Sequence, residues 1–211
     1  MNGRLASPIV LVCACAAVLV GCSSGAVPGT PTSGGASASS APASATEAPG
    51  DAPKVPNPLP ASALNGNPCD AALTSDQVTG FIGTTKSPQS REIDSGPACT
   101  WFSVDGVSGQ INVYYNTKVG DGLNAAYQNA RPNADRWEPT TVQGYPAVAY
   151  TQKGMGQSTT GTCNVFVGIR DDLTFGVGLT VGDNARARGV DSCAGANKVA
   201  NAVLTNIKGR S

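Results

Sequence analysis

Seven cysteines and no histidine set the chemistry open to this chain of 211 residues. Without an imidazole there is no Ser-His-Asp or Cys-His catalytic pair and no His-bearing zinc site. The thiols are therefore the reactive groups to place first. Cys13 and Cys15 lie in an apolar run, Cys22 closes it, and Cys69, Cys99, Cys163 and Cys193 are spread over the rest. No C-x-x-C spacing occurs, so redox or metal chemistry has no motif to rest on. Neither a metal nor a cofactor is expected.

The run around the first cysteines reads as an export signal. A basic start at Arg4 precedes an apolar stretch from Ile9 to Val20, the layout of a secretory signal and short for a bilayer span. It ends in Leu19-Val20-Gly21-Cys22, similar to the bacterial lipobox, where the cysteine thiol accepts a diacylglyceryl group before cleavage in front of it. The alternative is an ordinary secretory signal with an incidental cysteine. On the lipobox reading residues 1–21 are the signal peptide, Cys13 and Cys15 leave with it, and Cys22 is the lipidated (palmitate-bearing) N-terminus. Two acyl chains, at about 0.8 kcal/mol per buried methylene, make a stable anchor. The expected address is the outer face of the cytoplasmic membrane.

Between residues 23 and 64, 34 of 42 positions are Ala, Gly, Ser, Thr or Pro and none is aromatic. Such a composition buries too little apolar surface to offset ordering entropy, so a disordered tether is expected over 22–64. It would span roughly 35 Å on average and about 130–140 Å at full stretch. Its Ser/Thr-Pro content also suits O-linked sugars. The Gly21-Cys22-Ser23-Ser24-Gly25 run matches an esterase pattern, but without a strand-turn-helix context or a histidine it carries no chemistry.

All eleven aromatic residues lie between Phe81 and Phe175, so one domain is expected over 65–211. A capping box at Thr74 and Gln77, followed by Val78, Phe81 and Ile82, predicts a helix stopped by Gly83. Strands are expected over 98–104 and 110–116 across an Asp105-Gly106 turn. A helix should follow over 120–130, ended by Pro132. Strands at 136–143 and 147–152 flank Gly144-Tyr145-Pro146. A Gly/Ser/Thr loop over 154–161 leads to the clearest hairpin: Cys163, Val165, Val167 and Ile169, then Leu173, Phe175, Val177, Leu179 and Val181, all alternating. A final helix over 191–207 is closed by Gly209. Strands in runs between helices argue for an α+β fold, an antiparallel β-sheet with helices packed on one face.

Four domain cysteines in an exported chain favour two disulfides, and four allow three pairings. Cys69–Cys99 and Cys163–Cys193 are preferred, because each ties the start of a helix to a strand at a separation of thirty residues. Each closure is worth roughly 3–4 kcal/mol in the loop-entropy picture.

Other chemistry is sparse. Asp171-Asp172 is a calcium candidate, set against a plain solvated turn; no D-x-D-x-D-G loop accompanies it. Lys153-Gly154-Met155-Gly156-Gln157-Ser158 lacks the end of a phosphate loop, and Arg186 with Arg188 reads as an anion site or as solvated surface. The aromatic residues are the better candidates. Trp101, Tyr114, Tyr115 and Trp137, with Tyr145 and Tyr150, would suit a half-wet groove for a lipid, sugar or peptide; core packing is the competing reading. Tyr114 and Tyr115 must point to opposite faces of their strand.

The lipobox, the Ala/Ser/Pro spacer, Asn67-Pro68-Cys69-Asp70 and Gly96-Pro97-Ala98-Cys99-Thr100-Trp101 together resemble the actinobacterial lipoproteins of domain of unknown function 3558, over roughly residues 65–207. The resemblance implies a disulfide-stapled α+β domain outside the membrane and brings no catalytic residues. The expected role is a membrane-anchored, monomeric binding or interaction module, not an enzyme, for a cell-envelope component, lipid or partner protein. With 14 basic and 14 acidic residues, the chain offers nucleic acid no basic surface. The alternative is an envelope hydrolase working through a pair of carboxylates, and a purely structural wall protein is the third reading.

Overall fold

The longest alternating runs build the centre of the sheet. In the computed structural model, which describes residues 51–105, 109–154 and 161–211, β1 (Gln89–Ile93), β2 (Gly96–Phe102) and β3 (Gly109–Asn116) form one antiparallel meander. A second is formed by β4 (Ala134–Val142), β5 (Tyr145–Gln152), β6 (Thr162–Gly168) and β7 (Thr174–Val181). The two join along β3 and β7, giving one seven-stranded antiparallel sheet of order β1-β2-β3-β7-β6-β5-β4. The expected export signal, Cys22, tether residues up to 50, Gly106 and loop residues 155–160 lie outside the described residues.

One face of the sheet carries the main core. Cys163, Val165 and Val167 of β6 and Phe175, Val177, Leu179 and Val181 of β7 point the same way, as period-two geometry requires, beneath the 17-residue α5 (Ser192–Lys208). Helix α5 offers Ala196, Val199, Ala200, Val203, Leu204 and Ile207 as its apolar stripe. Its N-terminus is fixed by Asp191, whose Oδ1 accepts the Cys193 and Ala194 amides at 2.7 and 3.2 Å. The short α1 (Pro68–Ala71) and α2 (Ser75–Ile82) cover β2 and β3 on the same side. The Thr74 hydroxyl accepts the Gln77 amide, and the Gln77 side chain accepts the Thr74 amide, so the capping box forms as expected. Disulfides Cys69–Cys99 and Cys163–Cys193 fasten α1 to β2 and α5 to β6.

Several elements differ from the sequence expectation, among them α1, which lies ahead of the first helix expected at Thr74. Strand β1 was not foreseen: it is an edge strand with four of five residues exposed, so it carries no alternation to read. Helix α3 is confined to Asn124–Asn129, because Gly122 takes a positive φ of 52° outside the helix. Helix α4 (Asp183–Ala187), before α5, was not foreseen either.

The folded region also begins before residue 65, inside the expected tether. Residues 51–64 lie along the domain, where Val55, Ala63 and Leu64 join the main core and Ala52 packs in a second cluster. The physical reason is local: isolated apolar anchors among prolines need little ordering entropy, because proline fixes its own φ. Leu59 adds a backbone bond to the Ile169 carbonyl at 3.0 Å.

Candidate functional site

The second face of the sheet is aromatic and amide-rich. Cross-strand pairing places Arg91, Ala98, Tyr114, Gly176, Phe166 and Val148 in one row. The next row holds Thr100, Asn112, Gly178, Asn164, Tyr150 and Trp137. The two glycines of β7 make room for their neighbours. A Cβ at Gly176 would lie 2.5 Å from Phe166 Cε1 and 3.0 Å from Tyr114 Cδ2, so both rings lean over a strand position with no side chain. Phe166 and Tyr150 stack at 5.8 Å with an interplanar angle of 16°. Tyr150 meets Trp137 at 5.8 Å, and Trp137 meets Tyr127 edge-on at 5.1 Å.

Helix α3 covers part of this face. Leu123, Ala126 and Tyr127 pack on Val148, with Phe166 and Trp137 at the margin. Because α3 presents alanines to the sheet, it does not fill the space beneath it. A cleft of about 420 Å³ remains, with Ala125, Ala126, Asn129 and Ala130 on the helix side and Tyr150, Gln152, Phe166, Thr174 and Asn116 on the sheet side. Its volume falls in the range of about 300–1,000 Å³ typical of small-molecule sites.

The lining is neutral, and several of its polar groups are available. Asn116 Nδ2 donates to Thr174 Oγ1 at 3.0 Å. Asn129 and Asn133 each donate one N–H to a carbonyl one turn back, at 2.9 and 3.0 Å, and among the described residues their amide oxygens accept no bond. Among the described residues the Tyr150 hydroxyl and the Gln152 amide have no hydrogen-bond partner. Burial, with a smaller contribution from the Tyr114 phenol, pushes the Tyr150 pKa up to about 12. Tyr114 is also raised, by burial that outweighs the pull of Arg91. Both phenols are therefore protonated donors at neutral pH. Among the described residues the buried Trp137 Nε1 has no partner either.

The structure divides the aromatic candidates between the two faces. Tyr114, Trp137 and Tyr150 share the second face, and Tyr150 lines the cleft. Trp101 and Tyr115 are 4% and 0% exposed under the helices and belong to the main core, as does Tyr145, which sits 5.8 Å from Lys208 Nζ. Core packing accounts for these three. The Tyr115 hydroxyl is reached by Arg210 at 3.5 Å, and burial raises its pKa against that cation. Phe166 and the α3 amides were missed as site residues, because an alternating strand or a short helix does not announce which side stays open.

Of the remaining candidates, Asp171, Asp172 and Arg186 are occupied locally. Asp171 Oδ1 accepts the Val55 amide at 3.0 Å and its Oδ2 faces Lys54 at 3.3 Å, while Asp172 pairs with Arg170 at 2.9 Å. Arg186 pairs with Asp183. Among the described residues no three His, Cys, Asp or Glu side chains are grouped to hold a metal, and no helix is long and apolar enough to cross a membrane.

No curated protein matches the chain. The family model described as "Protein of unknown function (DUF3558)" matches residues 17–206, nearly the whole sequence, and the chain belongs to that family.

Proposed function

We propose that this protein is a lipid-anchored extracytoplasmic binding module. Cys22 carries the anchor, an Ala/Ser/Pro-rich spacer links it to the domain, and the domain takes a cell-envelope component in the cleft beneath α3. The lipobox ending in Cys22 supports the address, and the family match reaches upstream of it to residue 17. A single observation carries the binding role. Among the described residues, an uncharged cleft sets the Tyr150 hydroxyl, which has no protein partner, and the solvent-facing amides of Asn129, Asn133 and Gln152 beside an apolar wall. Unpaired polar groups beside an apolar wall are what a bound ligand satisfies.

The anchor is tested by Cys22→Ala in the full chain. Partition into the detergent phase should be lost, and retention with the signal removed refutes the anchor. The binding role is tested by filling the cleft with Ala130→Phe. Full-length protein should gain thermal stability from a cell-envelope extract, and the variant, provided it melts cooperatively, should not. Equal responses from both proteins, including no response from either, remove the binding role.

A further inference from the structure

Resting on the cleft as the binding site, we infer that its ligand is an uncharged saccharide unit, recognised by amide and hydroxyl groups around an aromatic floor. The first ground is charge. Among the described residues no Asp, Glu, Lys or Arg lines the cleft, so an ionised ligand would lose its hydration without a counter-charge to replace it. The second is the distribution of hydrogen-bonding groups. Asn116, Asn129, Asn133, Gln152, Thr174 and Tyr150 surround the space from both walls. An acyl chain laid there would offer no partner to the Tyr150 hydroxyl or to the amides, and each polar group it cut off from water would cost about 1–3 kcal/mol.

The third ground is the floor. Phe166 and Tyr150, stacked at 16°, give an apolar surface beside hydrogen-bonding edges. A sugar ring has the matching duality, with C–H groups on its faces and hydroxyls at its rim. Each hydroxyl both donates and accepts, as do the carboxamides and hydroxyls around it. A peptide strand uses its backbone along one line of extension and gains most from an open sheet edge. This cleft instead lies over the sheet face, closed above by α3, and its polar groups ring a compact volume.

The test uses full-length protein in lipid nanodiscs free of glycoside detergent, with ligand-observed NMR. Maltotriose and chitotriose are the saccharide probes; palmitate and N-acetyl-trialanine amide are the competitors. Saturable transfer to a saccharide is expected, displaced by neither competitor. Tyr150→Phe should weaken it about five- to tenfold, the effect of one hydrogen bond of about 1 kcal/mol, and Gln152→Ala should weaken it further without altering the melting curve. Transfer to palmitate or the peptide in place of the sugars, abolished by Ala130→Phe, overturns the saccharide assignment while the binding role stands. The same is concluded if no probe binds but the envelope extract still stabilises the wild type and not Ala130→Phe. Saccharide binding indifferent to Tyr150→Phe and Gln152→Ala overturns the site, and silence from every probe and from the extract overturns both readings.

Discussion

The Val55 amide donates to the Asp171 carboxylate at 3.0 Å, across 116 residues of sequence. That bond fastens the segment entering the domain to the turn between β6 and β7. Lys54 faces the same carboxylate, and one turn of chain earlier the Ala52 amide donates to Asn124 Oδ1 at 2.8 Å, at the start of α3. The chain leading into the domain is thereby pinned to the helix that walls the cleft. Gly122 reinforces the arrangement: a Cβ there would collide with the Asp171 carbonyl, so only glycine lets the α3 entry sit so close to the turn.

Breaking this pin should loosen residues 51–58 before the rest of the domain. The Val55 amide, then Lys54, hold the Asp171 carboxyl below its usual range. A depressed carboxyl contributes stability that is fully present above its unfolded pKa, about 3.9, and lost as pH falls through the folded value. Hydrogen exchange in this segment, corrected for its intrinsic pH dependence, should therefore rise below about pH 4. Asp171→Ala should raise it already at pH 7, at a cost of about 1 kcal/mol, whereas Asp171→Asn, which keeps an acceptor for Val55, should fall between. Equal protection in all three proteins would show that prolines and core anchors hold the segment unaided.

The aromatic row offers a second test. Gly176→Ala places a methyl 2.5 Å from Phe166 Cε1 and 2.8 Å from its Cδ1. The ring must move, and its stack with Tyr150 must move with it. Overpacking of this kind costs about 1–3 kcal/mol, and the near-ultraviolet circular dichroism of the contacting rings Trp137, Tyr150 and Phe166 should change. An unaltered spectrum with unaltered stability would mean that the rings have slack the geometry does not indicate.

Much of the framework was legible because local and tertiary demands coincide in it. The β6–β7 hairpin alternates over its full length since one face is buried throughout, and α5 carries its stripe because four strands lie beneath it. The Thr74–Gln77 box and the two disulfides also followed from residue type and spacing. Less legible were the pieces with few anchors. Strand β1 is exposed on both sides, and residues 51–64 hide Val55 and Leu64 among prolines and alanines that match a spacer. The cleft was legible only in part. Period-two geometry put Tyr114 and Tyr115 on opposite faces, yet parity along a strand does not say which face the helices cover. Trp101 and Tyr115 could thus not be separated from Trp137 and Tyr150 until the sheet order was known. Nor does the alanine-rich α3 reveal from its own residues that it leaves space beneath it.

The two disulfides should differ in accessibility rather than in worth. Each closes a separation of 30 residues, so removing either by paired Cys→Ala substitution should cost about 3–4 kcal/mol. Alanine is the fitting replacement, because Cys99, Cys163 and Cys193 are at most 1% exposed and a serine hydroxyl would be buried there. Cys69 is partly exposed. Under graded reductant, peptide mapping should find Cys69–Cys99 opening first, since thiol exchange needs access to a sulfur. Earlier opening of Cys163–Cys193 would mean that α5 unfolds from its N-terminus more readily than its packing implies.

Tyr150 ties the cleft to alkaline stability. Burial, and then the neighbouring Tyr114 phenol, raise its pKa to about 12, whereas an unfolded tyrosine ionises near 10. For a group whose folded pKa is raised, the stabilisation is present below the unfolded pKa and is lost as pH rises toward the folded one. Between about pH 10 and 12 the unfolded chain sheds a proton the native state keeps, so wild-type stability should fall with a slope to which Tyr150 contributes up to one proton. Tyr150→Phe should flatten that slope while leaving stability near pH 7 little changed, because the hydroxyl has no partner to lose among the described residues. Denaturant titrations across this range, with phenolate absorbance followed in parallel, should show one fewer late-ionising tyrosine in the variant. If the variant instead loses stability at pH 7, the hydroxyl is held by a contact within the fold. It would then be unavailable to a ligand, and the saccharide assignment would lose its central donor.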